Sequence, residues 1–205
     1  MRRLKKILCY GDSNTYGYNP TDGSRFNDTI RWTALLQNNL GSDFEVINEG
    51  VCDRCGFADN DKGFLYSAQR HFPKMIVKTK DIDILILWVG TNDLQYKYDI
   101  SFKQIENGLE KIILTAKNYA KRIIIIPPVV LDNNVLKGNF NFQFDETSVS
   151  KSKKVDKIYK KLSKIYGLNY FDPNEFVKPS NTVGLHYDET GHKIIAEKLA
   201  EFIKI

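Results

Sequence analysis

Histidine is among the scarcest reactive side chains in this 205-residue chain, with three copies: His71, His186 and His192. Cysteine is equally rare. Cys9 lies in an apolar run and reads as a small core residue. Cys52-Asp-Arg-Cys55 has the spacing of half a zinc or redox motif. Zinc needs four ligands and the sequence holds no second pair, so a functional role for this pair is not expected. Long hydrophobic runs are also missing. None approaches the roughly 20 residues that cross a bilayer. The apolar run after Arg2, Arg3, Lys5 and Lys6 is too short for the core of a signal peptide. A soluble, cytoplasmic protein is the expectation. The formal net charge is only +5 and is spread along the chain. Lysines 151, 153, 154, 157, 160 and 161 read as one solvated helix face. With no basic stripe and no recognisable module, nucleic-acid binding is not expected. Linkers, repeats and low-complexity stretches are absent too. At 42% hydrophobic residues, one domain over residues 1–205 can bury a sizeable core.

What the chain does have is alternation. Ile7 to Tyr10 is a short buried strand that breaks at Gly11. Ile30, Trp32, Leu35, Leu36 and Leu40 recur at helical spacing and stop at Gly41. Phe44 to Ile47 is a second strand, and a helix is expected over about 64–78. Ile82 to Val89, apolar apart from Asp83, suits a central parallel strand covered on both faces. A helix over 102–119, a strand from Ile123 to Ile126, a lysine-rich helix over 149–166, a strand from Leu168 to Phe171 and a helix over 188–203 follow. The polar and aromatic loop 129–147 is long enough to suggest function or mobility. This order predicts an α/β domain with a parallel sheet.

Four post-strand or loop segments carry small or reactive residues: Gly11-Asp12-Ser13-Asn14, Asn48-Glu49-Gly50, Gly90-Thr91-Asn92-Asp93 and Gly184-Leu185-His186. A parallel sheet gathers such loops at its carboxyl edge. Acyl transfer requires a hydroxyl nucleophile, an imidazole base and donors aimed at the developing oxyanion. Ser13 can supply the first and His186 the second. The N–H groups of Ser13 and Gly50 and the Asn92 amide can supply the donors. A solvated turn around Ser13 and a structural histidine are the plainer alternatives. Asp12 and Asp93 read as supports that hydrogen-bond to backbone N–H groups of their own loops. Tyr16, Tyr18, Trp88, Tyr96 and Tyr98 could line a pocket or simply pack.

In order and spacing these four segments resemble the conserved blocks of the SGNH (GDSL) hydrolase family, and the resemblance spans nearly the whole chain. Arg31-Trp32-Thr33 and the stretch from Leu40 to Gly50 resemble its arylesterase and acyltransferase branch. The resemblance implies a flavodoxin-like three-layer sandwich with five parallel strands in the order 2-1-3-4-5 and helices on both faces. It implies Ser13 as nucleophile, His186 as general base, Gly50 and Asn92 in the oxyanion hole, and no metal or cofactor. The implied substrates are small acyl esters, cleaved or passed to another acceptor. Related possibilities are a carbohydrate acetyl esterase, a lysophospholipase or thioesterase, or a weakened binding module on the same fold. A phosphate or nucleotide binder is disfavoured, because Gly11-Asp12-Ser13-Asn14-Thr15 lacks the lysine and glycine spacing of phosphate loops.

One departure stands out. The family usually carries an aspartate three residues before the histidine, where this chain has Val183. Three arrangements are open: a Ser–His dyad with a backbone carbonyl behind the ring, a carboxylate displaced to Asp172, Glu175 or Asp188, or weakened activity. The dyad is favoured, with Asp188 as an N-cap of the last helix. Self-association is a further expectation, with the aromatic loop from Asn139 to Phe144 as its contact.

Overall fold

Alternate residues of the first strand, β1 (Lys5–Gly11), enter two separate cores: Ile7 and Cys9 pack into one, Leu8 and Tyr10 into the other. That division organises the computed structural model, which describes residues 3–79 and 81–204. Met1, Arg2, Lys80 and Ile205, and with them the Arg2 charge noted above, lie outside the described residues. The sheet also contains β2 (Phe44–Gly50), β3 (Ile82–Trp88), β4 (Ala120–Ile125) and the two-residue β5 (Asn169–Tyr170). All pairs are parallel and the order is 2-1-3-4-5, the topology the resemblance implied. From Ile84 to Trp88 β3 is buried on both sides, which is why that stretch reads as an apolar run; Asp83, at its start, is half-buried and pairs with Arg3 and Lys121.

On one face lie α2 (Trp32–Leu40) and α7 (Glu189–Lys204), which bury Trp32, Leu36, Ile195, Leu199 and Ile203 against Ile84, Ile86 and Trp88. On the other lie α3 (Ala68–Lys78), α4 (Phe102–Ala116) and α6 (Asp156–Tyr166), with Phe72, Leu109, Tyr159 and Leu162 against Leu8, Leu85 and Leu87. A single turn, α1 (Ser13–Tyr16), follows β1.

The helix expected over 149–166 is two helices, α5 (Glu146–Ser152) and α6. Val149 packs into the core on the α7 side, whereas Val155 and Tyr159 pack into the opposite one. The chain therefore crosses between faces at residues 153–155, and one straight helix cannot serve both. α5 begins earlier than its apolar pattern suggests, because Asp145 and Ser148 form a capping box. α4 ends at Ala116, and β4 starts at Ala120 rather than at Ile123.

Register places the functional segments. Gly11 pairs with Gly50 on one side and with Trp88 on the other. The loops after β1, β2 and β3 thus leave the sheet at one level of one edge. Among the described residues, no helix is long and apolar enough to cross a membrane.

Candidate active site

Asp12 ends the strand run and caps α1, with its Oδ1 accepting from the Asn14 N–H at 3.0 Å. Ser13 is then the first helical residue, where a backbone N–H has no intrahelical acceptor. Ser13 is only 5% exposed and His186 only 3%. His186 Nε2 stands 2.8 Å from Ser13 Oγ, across 173 residues of sequence.

Several hydrogen bonds tie the segments together. Asn14 Nδ2 donates to the Leu185 carbonyl at 3.1 Å, joining the serine turn to the histidine loop. Trp32 Nε1 donates to the Asn14 carbonyl, and the Trp32 N–H donates to His192 Nδ1 at 3.2 Å. His192 is thus a structural contact between α2 and α7. Asn92 is oriented from both ends: its amide Nδ2 donates to the Arg54 carbonyl at 3.1 Å, and Gln95 Nε2 donates to its Oδ1 at 3.1 Å. Asp93 accepts from three backbone N–H groups, those of Gly56, Phe57 and Ala58, at 2.6, 2.7 and 2.6 Å. The expected supporting role of Asp93 therefore extends to a different loop from its own.

Gly50 stands apart from the expectation. Its N–H donates to Asn48 Oδ1 at 2.9 Å, so that donor is already committed. A Cβ here would meet the Tyr16 nitrogen at 2.1 Å, so the glycine is required by close packing beneath α1. Asn48 completes this junction, donating to the Thr15 carbonyl at 2.7 Å and to Thr33 Oγ1 at 2.8 Å. The cavity of about 210 Å³ beside the Ser–His pair is lined instead by Cys52 and Asp53, together with Tyr18, Asn92, Phe140 and Gln143. Asp53 has φ 62°, a left-handed conformation that a non-glycine residue adopts only when its surroundings hold it there. The N–H groups of Ser13 and Asp53 meet no acceptor among the described residues.

Arg54, unremarked in the sequence, holds this loop. It is fully buried, donates to the carbonyls of Gly11, Glu49 and Leu65, and lies 4.2 Å over the Tyr10 ring. Its sequence setting, between Asp53 and Cys55, carries no signal of burial. Neither cysteine of the pair is bonded to the other. Cys55 is buried, and the Cys52 thiol is pushed up to about 12, by burial first and by Asp53 and Asp12 next. Cys52 is therefore a neutral thiol at neutral pH and no rival nucleophile.

Behind the histidine, Val183 is buried among apolar side chains. Neither arrangement considered for Nδ1 is found there: His186 Nδ1 meets no hydrogen-bond partner among the described residues. Asp172 is occupied by the Tyr170 hydroxyl at 2.7 Å and by Asn174. Glu175 is exposed. Asp188 caps α7, accepting from the Gly191 N–H at 2.9 Å. Burial, with His192 as a smaller cause, holds the His186 imidazole down to about 3, so it is neutral at neutral pH. A neutral imidazole at hydrogen-bond distance from a hydroxyl can take its proton. Asp12 is raised to about 6, chiefly by burial, which outweighs its hydrogen bond from the Asn14 N–H.

The aromatic loop expected as a self-association surface mostly turns inward. Phe144 is buried and Phe140 contacts His186, leaving Phe142 as its exposed phenylalanine at 65%.

A parallel 2-1-3-4-5 sheet that carries a Ser–His pair and an oriented Asn amide at its carboxyl edge defines a hydrolase-type α/β site. Residues 9–194 match the GDSL-like Lipase/Acylhydrolase family, and the chain belongs to it, which places it among the carboxylic ester hydrolases. Among solved structures, the native aryl esterase of M. Smegmatis is similar at 25% identity and TM-score 0.89, covering 98% of this chain and 99% of that one. A carbohydrate acetylesterase family member from Sinorhizobium meliloti is similar at 24% identity and TM-score 0.89, covering 98% of each chain. A putative arylesterase from Agrobacterium tumefaciens str. C58 is similar at 23% identity and TM-score 0.85, covering 98% and 99%. The last two, below 25% identity, bear on the fold alone. No curated protein matches the sequence.

Proposed function

We propose that this protein is a serine esterase that removes short acyl groups from small esters, with Ser13 as nucleophile and His186 as general base. The observation that carries this reading is the 2.8 Å approach of His186 Nε2 to Ser13 Oγ at the wall of a small cavity. Ser13 Oγ attacks the ester carbonyl while His186 Nε2 takes its proton. The tetrahedral oxyanion accepts hydrogen bonds from the Ser13 N–H, the Asn92 amide and the Asp53 N–H, the last in place of the Gly50 N–H, which is bonded to Asn48. Collapse expels the alcohol, which leaves with the proton from His186, and the acyl group remains on Ser13. Water, or a second alcohol in a transfer reaction, then releases it by the reverse proton path.

The volume of about 210 Å³ favours acetyl or similarly short acyl groups. Tyr18 and Phe140 give the cavity two aromatic walls, which suits an aryl or other planar leaving group. The likeness to an aryl esterase at 25% identity supports the same substrate class. Three free thiols suit a reducing compartment, and we assign the cytoplasm on that ground. The test is p-nitrophenyl acetate hydrolysis by the wild type beside Ser13→Ala. Turnover by the wild type and its loss in a folded variant are expected. Equal rates in the two would overturn the reading.

A further inference from the structure

Among the described residues His186 Nδ1 has no hydrogen-bond partner, yet the ring is held on two sides. The Tyr18 ring lies 4.2 Å away, centroid to centroid, tilted by 31°. The Phe140 ring meets it at 5.3 Å and 65°, in an edge-to-face arrangement. The two aromatics touch each other, 6.1 Å apart at 71°. Both are anchored. Tyr18 donates its N–H to the Ser13 carbonyl at 3.0 Å and bridges to Arg25 in antiparallel fashion. Phe140 sits in a tight turn closed by the Gln143 and Phe144 N–H groups, and that turn is pinned by the Tyr96 N–H on the Gln143 carbonyl and the Tyr96 hydroxyl on the Phe142 carbonyl.

We propose that Tyr18 and Phe140 are positioning residues for His186, and that the Tyr18 ring face stabilises the imidazolium formed during the reaction, taking over in part the work of the absent aspartate. An orienting carboxylate does two things: it fixes the ring, and it favours the charged form that appears when the serine proton is taken. Packing between two rings accomplishes the first. A cation against an aromatic face is attracted by the ring quadrupole, which accomplishes the second more weakly. At 4.2 Å and 31° the tyrosine presents a face rather than an edge. The ionisable groups around the ring are His192 from α7, Tyr18 itself, and Cys52 and Asp53 across the cavity. None is a carboxylate bonded to the imidazole. The proposal rests on the assignment of His186 as general base.

The test keeps the ring and changes its electrons. Position 18 is filled in turn with phenylalanine and with mono-, di- and trifluorophenylalanine, and kcat and KM for an alkyl acetate, whose leaving group has no ring to stack on residue 18, are measured beside Ser13→Ala. Phenylalanine should retain most of kcat. Progressive fluorination should lower kcat steadily, by about tenfold over the series, with little change in KM. Tyr18→Leu should lose at least as much, and Phe140→Leu should lower kcat without any dependence on ring charge. A purely steric or substrate-binding role predicts a flat kcat across the fluorinated series or a change confined to KM, and either result overturns the proposal. A wild type no faster than Ser13→Ala would instead remove the base assignment beneath it.

Discussion

Asn14 and Leu185, 171 residues apart, are joined by one hydrogen bond in which the Asn14 amide donates to the Leu185 carbonyl at 3.1 Å. It lies one residue from each member of the Ser13–His186 pair, so it sets their separation. Asn14→Ala should lower kcat by about a hundredfold, the scale on which a misplaced reactive group is felt. KM and the melting temperature should move much less. The check is steady-state kinetics beside a thermal melt, and an unchanged kcat would show that the histidine loop is held by other contacts.

Asn92 presents an amide held by Gln95 and the Arg54 carbonyl. If it polarises the oxyanion, Asn92→Ala should reduce kcat by about 10² to 10³. Saturation kinetics decide the matter, because a residue that only shapes the cavity would raise KM instead.

Gly50 gives the opposite expectation. A Cβ 2.1 Å from the Tyr16 nitrogen has no flexible neighbour to displace. Gly50→Ala should therefore destabilise the fold by about 1–3 kcal/mol, the usual range for overpacking. Denaturant midpoints measure this. A variant as stable as the wild type but inactive would return Gly50 to the oxyanion hole.

The depressed His186 and His192 values, both about 3, have two consequences. In catalysis, kcat/KM should show no acid limb at the ordinary histidine value of about 6.5, because His186 is still neutral there. The unfolded state takes up protons as pH falls through about 6.5, whereas the native state does not until about 3. Stability from both groups is present above about 6.5 and is lost as pH falls toward 3. Paired pH–rate and pH–melting profiles read the two effects separately.

Val183→Asp restores the carboxylate that the family usually places before the histidine. A nearby negative charge favours the imidazolium, so the His186 value should rise and an acid limb should enter the pH–rate profile. The rate at neutral pH should rise by about tenfold, a small part of the roughly 10⁴ that an orienting aspartate is worth in a triad built around it. The melting temperature should fall, because position 183 is buried among apolar groups. A folded variant with lower kcat and no new limb would contradict the dyad.

Legibility in the sequence followed the range of the interactions. β3 is plain because a strand buried on both faces is apolar over most of its length, here from Ile84 to Trp88. Ser13, Asn92 and Asp93 are legible as positions because they closely follow β1 and β3 with their own turn residues, whereas His186, in the loop before α7, is marked only by the Gly184-Leu185 pair in front of it. The split between α5 and α6 was not legible, since the periodicity of a lysine-rich segment does not say which face of the sheet each half will meet. Arg54 was invisible for the same kind of reason: its carbonyl partners at Gly11 and Leu65 come from separate elements. At Gly50 the sequence shows the missing side chain but neither its cause, the close approach of Tyr16, nor the partner of its N–H, Asn48 Oδ1, which depends on a rotamer. The contact of Phe140 with His186 exists only once the 129–147 loop has folded back over the sheet edge, and that of Tyr18 only once the loop after α1 meets the one before α7.

The most direct test of the central claim is to trap the nucleophile. The protein is treated with a small fluorophosphonate and its peptides are mapped by mass spectrometry. A single adduct on Ser13, absent when His186 is replaced by alanine, is the predicted result. An adduct on Cys52 or on no residue in a folded sample would contradict the account.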